Sequence, residues 1–190
     1  MHLWSVEISR PRIVLAFNDD GTNNLPVLKG GSNKSGGGGV RIDRIVLRDA
    51  DLSYDDRPHN LKVDLQQLRL TLGGVIPNDV TGRLTVGAPG SLSVGGWHTT
   101  LTRVATGFGF NRRGVRLDNT TIGMTEGDLA VHGPLSWGMD GAVGLSVGGQ
   151  FDMARSLRAL DIDLDVSGPV ATSGTVSGTW QNLRVALDVR

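Results

Sequence analysis

The stretch Leu61-Lys62-Val63-Asp64-Leu65-Gln66-Gln67-Leu68-Arg69-Leu70-Thr71-Leu72 decides the fold class. Apolar residues alternate with polar ones before and after the glutamine pair, which is the period-two pattern of a strand that buries one side. The phase of the alternation changes at Gln66-Gln67, and a slip of one residue would otherwise turn the apolar side outward. The pattern therefore predicts two strand segments joined by a β-bulge or a tight turn.

The same alternation recurs along the rest of the chain. Val80 to Val86 alternates, and three later stretches place an apolar residue at every second position: Val143, Leu145 and Val147; Leu160, Ile162, Leu164 and Val166; Leu183, Val185, Leu187 and Val189. In the second of these, Asp161, Asp163 and Asp165 occupy the opposite side, which predicts a strand with one dry and one wet face. Roughly fifteen short strands, separated by Gly, Pro, Asn and Asp turn signals, can be drawn.

Composition points in the same direction. Glycine contributes 28 of the 190 residues, whereas Lys occurs three times and Glu twice. Lys and Glu build solvent-exposed helix faces, so their scarcity argues against a helical protein. Two segments depart from the strand pattern. Asp152 to Leu160 has helical composition with Asp152 as a candidate N-cap, and Lys29 to Gly39 predicts a flexible Gly/Ser loop.

Charge and cysteine content exclude several classes of function. The formal net charge is zero, and nothing in this balance suggests the concentrated basic surface that binding to nucleic acid or to an anionic membrane requires. The chain has no cysteine, so disulfide bonds and thiolate metal sites are excluded. No stretch approaches the ~18 apolar residues of a membrane span. The chain begins and ends on strand-like sequence, and we expect a segment cut from a longer sheet.

No group of residues predicts catalysis or metal binding. The four histidines (His2, His59, His98 and His132) lie far apart, without the close spacing of a metal motif. The acidic run from Asp49 to Asp56 lacks the central Gly and distant Glu of a calcium loop, and both it and Asn18 to Gly21 indicate turns. There is no Gly-x-Ser-x-Gly motif and no Ser with a plausible His partner nearby in sequence. We expect no enzyme, cofactor or metal, while a triad assembled from distant segments stays an open alternative.

The order of several short phrases carries a family resemblance. Pro11 to Leu15 (PRIVL), Asp20 to Pro26 (DGTNNLP), a Gly/Ser loop, and Ile42 to Asp56 (IDRIVLRDADLSYDD) follow one another. Further on stand Gly127 to Leu135 (GDLAVHGPL), Phe151 to Ala154 (FDMA) and Val176 to Val185 (VSGTWQNLRV). In this order the phrases resemble the amino-terminal region of TamB-like proteins, the translocation and assembly module of the AsmA-like superfamily. These are long periplasmic proteins anchored in the inner membrane of diderm bacteria.

The resemblance implies a fold and a function. The fold is all-β: an elongated, twisted, mostly antiparallel sheet of many short strands curled into a U-shaped groove, with at most one short helix, and residues 1–190 form one segment of it. The function is phospholipid transport between the inner and outer membranes, outer-membrane protein assembly, or both. The implied partners are phospholipid acyl chains and, through parts absent here, a BamA-like outer-membrane barrel. The residues expected to line the groove are Leu68, Leu70, Leu72, Val143, Leu145, Val147, Leu160, Ile162, Leu164, Val166, Leu183, Val185, Leu187 and Val189.

Other interpretations remain open at this point. An open groove and a closed sandwich use the same alternation. A structural or adhesive β-solenoid or β-sandwich domain of an exported protein would carry no lipid, and a solenoid would need a regular coil length that the uneven strand spacing does not provide. A carbohydrate-active enzyme would need a carboxylate pair and sugar-stacking aromatics, but the chain has only nine aromatic residues and its tryptophans are scattered.

Overall fold

A computed structural model describes residues 2–24, 41–75, 79–138 and 140–190. These residues form fourteen strands, one α-helix and a 3-10 turn at Arg57–His59. The helix α1 spans Met153–Ala159. The strands are β1 (His2–Leu3), β2 (Val6–Ser9), β3 (Arg12–Phe17), β4 (Arg41–Ile42), β5 (Arg44–Asp56), β6 (Leu61–Val75), β7 (Asp79–Val86), β8 (Gly90–Val94), β9 (Trp97–Asn111), β10 (Gly114–Met124), β11 (Gly127–Ser136), β12 (Ala142–Asp152), β13 (Pro169–Thr179) and β14 (Asn182–Val189).

Twelve of these strands form one mixed sheet. Its order is β14-β13-β12-β11-β10-β9-β7-β6-β5-β2, with β3 also paired to β5 and β8 inserted between β6 and β9. Only β2 and β3 run parallel to their neighbour β5, and all other pairs in this sheet are antiparallel. Strands β1 and β4 form a separate two-stranded parallel sheet. The prediction of an all-β, mostly antiparallel fold with at most one short helix is therefore confirmed.

The twelve strands occupy ten rows, because two pairs of strands share a row. Strands β2 and β3 follow one another along the same side of β5, and β7 and β8 follow one another between β6 and β9. The break between β7 and β8 lies around Gly87 to Gly90. A Cβ at Gly90 would collide with the backbone oxygen of Asp64, so only glycine permits this close approach of β8 to β6.

Four bulges keep the phase of the alternation along the long strands. One lies in β9, opposite Gly123 and Met124 of β10. The other three each have their extra residue in the left-handed region. The extra residues are Asp49 in β5, Gln67 in β6 and Asn119 in β10, with φ angles of 51°, 51° and 49°. The register shifts at these points, so two residues on one strand face one on its neighbour. The predicted irregularity at Gln66-Gln67 is confirmed as a bulge within one continuous strand rather than a tight turn.

The helix forms where the sequence predicts it. The carboxylate of Asp152 accepts a hydrogen bond from the backbone N–H of Arg155 at 2.9 Å, which makes Asp152 the N-cap of α1. The helix follows β12 directly, and the backbone N–H of Met153 donates to the carbonyl of Gly168 at 3.0 Å. Residues 153–168 thus leave the sheet after β12 and return to it at the start of β13, beside the point of departure.

The predicted strand from Leu160 to Val166 is wrong. This segment has no strand structure and links α1 to β13, and its apolar residues Leu160, Ile162, Leu164 and Val166 are exposed, as are the aspartates between them. The physical reason is topological. Both sides of β12 are already paired, with β11 and with β13, so the excursion that begins and ends there has no free sheet edge beside it.

Two remaining predictions stand apart from these elements. The predicted loop from Lys29 to Gly39 lies outside the described residues. Among the residues that the structure does describe, no helix combines the length and the apolar character required to cross a membrane.

Candidate functional site: an apolar sheet face

Strand register places nearly all the apolar strand residues on one side of the sheet. Residues that face each other across a strand pair point to the same side, so the side can be followed from strand to strand. Leu70 faces Leu47 on β5 and Leu84 on β7, and Val147 faces Val131 on β11 and Gly174 on β13. The chain of partners continues through all ten rows. We call this side the apolar face.

The apolar face is rich in large side chains from the first row to the last. On the amino-terminal half it contains Val6, Ile8, Ile13, Leu15, Phe17, Ile45, Leu47, Ala50, Leu52, Tyr54, Leu61, Val63, Leu65, Leu68, Leu70, Leu72, Val80, Leu84 and Val86. On the carboxy-terminal half it contains Leu92, Val94, Trp97, Leu101, Val104, Phe108, Phe110, Val115, Leu117, Ile122, Met124, Leu129, Val131, Leu135, Val143, Leu145, Val147, Phe151, Val170, Val176, Leu183, Val185, Leu187 and Val189.

Two pairs of polar residues on or beside the apolar face form hydrogen bonds with each other. The hydroxyls of Thr106 and Thr120 lie 2.6 Å apart and form a hydrogen bond across β9 and β10. The hydroxyl of Thr99 donates to the carboxylate of Glu126. Both residues are buried, Thr99 near the start of β9 and Glu126 just before the start of β11. Because these groups are paired within the face, they do not need water as a partner, and the surface around them stays apolar.

The opposite side of the sheet, which we call the polar face, carries most of the charged strand residues. Its ion pairs are Arg48–Glu7 at 2.8 Å, Arg69–Asp49 at 3.8 Å, Arg103–Asp128 at 3.3 Å, Lys62–Asp64 at 3.7 Å and Arg116–Asp118 at 3.1 Å. All these side chains are well exposed, so the pairs contribute little to stability. They instead mark this side as the one that faces water.

Burial of the apolar face falls from the middle of the sheet to its β14 edge. Ala50, Leu65, Leu68 and Leu101 form a buried cluster on β5, β6 and β9. On β14, in contrast, every residue is exposed, and Val185 on the apolar face keeps 60% of its surface accessible. No layer of the described chain covers either side of the sheet at β14.

Ten of the fourteen predicted lining residues lie on the apolar face. Those on the face are Leu68, Leu70, Leu72, Val143, Leu145, Val147, Leu183, Val185, Leu187 and Val189. The other four (Leu160, Ile162, Leu164 and Val166) lie in the connector outside the sheet. The structure thus brings three separate predicted stretches onto one surface, and a lipid-lining role for them stays a prediction.

Sequence reasoning missed the aromatic part of the face. Phe108 and Phe110 on β9 lie with ring centroids 6.3 Å apart, and a Cβ at Gly82 on the neighbouring strand would collide with the ring of Phe108. The glycine therefore provides the space in which the ring lies on the sheet. The signal was present in Phe108-Gly109-Phe110, where two aromatics at alternate positions predict a common side.

Sequence reasoning also overlooked a serine–histidine contact. Ser93 and His98 are cross-strand partners in the β8–β9 hairpin, and Ser93 Oγ lies 2.6 Å from His98 Nδ1. The statement that no serine has a histidine partner nearby in sequence is therefore wrong. The turn residues Gly95 and Gly96, with φ angles of 55° and 95°, fix this pairing. In the described part of the chain no third group orients the imidazole, so the pair lacks the geometry of a catalytic triad.

The acidic run from Asp49 to Asp56, where the sequence predicted turn chemistry at a strand end, lies within β5, and its last residue supplies hydrogen-bonding groups to the β5–β6 turn. Asp56 accepts hydrogen bonds from Tyr54 Oη at 3.0 Å and contacts His59 Nδ1 at 2.9 Å. The hydrogen bond from His59 lowers the pKa of the Asp56 carboxyl. Partial burial and the same carboxylate raise the pKa of Tyr54. Among the described residues, no three His, Cys, Asp or Glu side chains cluster in a way that could hold a metal ion.

A second acidic turn lies at Asn18 to Gly21. The carboxylate of Asp20 accepts hydrogen bonds from the hydroxyl of Thr22 at 2.6 Å and from its backbone N–H at 2.9 Å. Both hydrogen bonds lower the pKa of Asp20, and the one from the Thr22 hydroxyl has the larger effect. Gly21 has a φ of 79°, which glycine adopts without strain. The backbone N–H of Gly21 donates to the carbonyl of Asn18 at 3.0 Å, so this segment is a hydrogen-bonded turn, as the sequence predicted.

Comparison with known proteins adds no relative to this description. No protein-family model, no curated protein and no solved structure matches the chain. The large uncovered apolar face of a mostly antiparallel sheet is thus the feature from which function has to be inferred.

Proposed function

We propose that this chain is a lipid-binding segment of a periplasmic bridge that carries phospholipids between the inner and outer membranes. The observation that carries the proposal is the continuity of the apolar face across all ten rows of the sheet. Soluble proteins rarely leave so large a contiguous apolar surface without a ligand or partner. The resemblance to TamB-like proteins adds a contribution to outer-membrane protein assembly, with a BamA-like barrel as partner, to the same proposal.

The physical basis is the transfer of acyl chains from water to the apolar face. Each methylene sheltered from water gains about 0.8 kcal/mol. A sheet satisfies its own backbone groups by strand pairing, so its apolar side can extend over many rows without exposing unpaired polar groups. The lining is mainly Leu, Val and Ile, side chains that offer apolar contact without directional polar groups. Such a surface holds an acyl chain while leaving the head group in water.

Photo-crosslinking on neighbouring residues tests the proposal. Leu145 and Ser146 are adjacent on β12, and their side chains point to the apolar and polar faces respectively. With phosphatidylethanolamine vesicles present, a benzophenone side chain at position 145 should capture lipid, and one at position 146 should not. Native mass spectrometry of the purified chain should show co-purified phospholipid.

The contrary result is equally specific. Absence of lipid at position 145, with circular dichroism showing an intact fold, would favour the alternative of a structural or adhesive β-domain. Equal capture at positions 145 and 146 would indicate non-specific contact with the vesicle surface. Either outcome would contradict the proposal that the apolar face binds acyl chains.

A further inference from the structure

A cavity lies at the end of the sheet where β9 begins. Leu101 faces Met124, the last residue of β10, so residues 97–100 of β9 extend beyond β10 and, among the described strands, pair only with β8. Helix α1 contacts both β9 and β12. The cavity between α1 and the β8–β9 hairpin has a volume of about 830 Å³, which is large enough for a small ligand.

Two arginines of α1 line this cavity. Arg155 Nη1 donates to the backbone oxygen of Thr125 at 3.2 Å, and Arg158 Nε donates to that of Ala154 at 3.1 Å. Among the described residues no carboxylate forms an ion pair with either guanidinium. Each guanidinium has five N–H donors, so most of them stay available to an anionic ligand such as a phosphate group.

The β8–β9 hairpin contributes neutral hydrogen-bonding groups to the opposite wall of the cavity. Its lining residues include Ser93 and His98. In an antiparallel pair, alternate residues direct their backbone groups away from the partner strand. His98 and Thr100 occupy such positions on β9, because the carbonyl of Thr100 accepts a hydrogen bond from the backbone N–H of Thr125 at 3.1 Å. Neutral donors and acceptors therefore lie beside the two arginines.

One carboxylate, that of Glu126, also lines the cavity. Only 7% of Glu126 is exposed, and its carboxylate accepts a hydrogen bond from the hydroxyl of Thr99. In the part of the chain that the structure describes, no cationic side chain forms an ion pair with it. A carboxylate in this position repels a simple anion and attracts a cationic group. The charges of the cavity are thus complementary to a ligand that carries both signs.

The cavity reaches both sides of the sheet at this end. Leu92 and Thr99 face each other on the apolar face, and both line the cavity. Ser91 and Thr100 face each other on the polar face, and both line it as well. An apolar part of a ligand can therefore extend along the apolar face while its polar part stays at the end of the sheet.

We propose that this cavity binds the zwitterionic head group of a phospholipid of the phosphoethanolamine class. Its phosphodiester contacts Arg155 and Arg158, and its primary ammonium contacts Glu126. A trimethylammonium group has no N–H to donate and is held by aromatic side chains, whereas the described lining residues include no Phe, Tyr or Trp. That the ligand is a lipid rests on the proposed function, whereas the match to a phosphate and an ammonium rests on the cavity alone.

Isothermal titration calorimetry with a probe that has no acyl chain tests the head-group site. Glycerophosphoethanolamine carries the complete head group, so its binding does not depend on the apolar face. It should bind at least about tenfold more tightly than inorganic phosphate or glycerophosphocholine, because neither of these brings an ammonium N–H to Glu126. Absence of binding up to about 10 mM would overturn the proposal. Equal binding of the three probes, or tighter binding of phosphate, would overturn it in favour of a site for free phosphate.

Two variants separate the roles of the charged residues. Arg155→Gln should lower the affinity for glycerophosphoethanolamine and for phosphate alike, by about tenfold, because a charge-assisted hydrogen bond is lost. Glu126→Gln should lower only the affinity for glycerophosphoethanolamine, since the amide still accepts from Thr99 but has no charge for the ammonium. Arg112→Gln changes an exposed arginine at the opposite end of β9 and is the matched control, which should bind like the parent chain. With circular dichroism showing intact folds, undiminished binding by Glu126→Gln would overturn the ammonium contact.

A probe with one acyl chain separates this site from acyl-chain binding. Lauroyl-lysophosphatidylethanolamine, kept below its micelle-forming concentration, should bind at least about tenfold more tightly than glycerophosphoethanolamine, because its chain can lie on the apolar face. Equal affinity for the two probes would contradict acyl-chain binding and leave the head-group site intact. Lysolipid binding that neither Arg155→Gln nor Glu126→Gln weakens would support acyl-chain binding and overturn the head-group site.

Discussion

At the residue scale, the fold depends on three non-glycine residues in the left-handed region of backbone conformation. Asp49, Gln67 and Asn119 each provide the extra residue of a bulge and so keep the apolar alternation on one side. An L-residue in this conformation costs about 1 kcal/mol relative to glycine. Continuity of the apolar face is therefore maintained at the expense of local backbone strain.

The strain at the β6 bulge predicts opposite effects for two neighbouring substitutions. Gln67→Gly should raise the free energy of unfolding by about 0.5–1 kcal/mol, because glycine adopts the observed φ of 51° without strain. Gln66→Gly, at an ordinary strand position, should lower it by about 0.5–1 kcal/mol. Urea denaturation measures both values, and a stability loss in both variants would show that the bulge residue is not strained.

The pKa of Asp56 predicts a pH dependence of known sign. Its hydrogen bond with His59 lowers the pKa below the ordinary 3.8, so the carboxylate stabilises the fold above that pH, and the contribution is lost as the pH falls through the lowered value. His59→Ala should raise the pKa of Asp56 toward 3.8, as measured by carboxyl ¹³C NMR titration. The pKa of Asp20, lowered independently by Thr22, should stay unchanged and is the internal control.

At the scale of elements, alternation predicted strands well where a paired neighbour exists. The alternating stretches of β6, β7, β12 and β14 are all strands, and the bulge and the helix with its Asp152 cap were also found from sequence. The segment from Leu160 to Val166 alternates as well as any of them, but it lies in an excursion without a free edge. Period-two alternation specifies which side of a strand is apolar, whereas strand formation requires a partner that local sequence does not identify.

Two leucine-to-aspartate substitutions distinguish the connector from the sheet. Leu164→Asp should change the free energy of unfolding by less than about 0.5 kcal/mol, because Leu164 is 60% exposed outside the sheet. Leu68→Asp should lower it by about 3 kcal/mol or more, because Leu68 is 3% exposed and an unpaired carboxylate would be buried there. Chemical denaturation measures the free energy of unfolding of both variants. A loss for Leu164→Asp as large as that for Leu68→Asp would show that Leu164 lies in a packed strand.

At the scale of the whole molecule, the sheet resembles a one-dimensional array of rows. Each row is paired only with its immediate neighbours, and among the described strands β2 and β3 form the first row and β14 the last. Sequence predicted the apolar stretches of three distant strands but not the order that joins them into one face. That order depends on non-local features, such as the shared row of β7 and β8 and the parallel pairing of β3 with β5.

This arrangement predicts a gradient of stability along the sheet. The buried cluster lies on β5, β6 and β9, whereas β14 is exposed on both sides and is paired only with β13. Opening of β14 breaks one ladder and exposes little new apolar surface, so its amides should exchange through low-energy local opening. Amides of β6 and β7 should exchange only with global unfolding. Hydrogen exchange followed by mass spectrometry on dilute protein measures this gradient. Uniform protection from β6 to β14 at low concentration would contradict the gradient, because it would require a layer that covers the β14 edge.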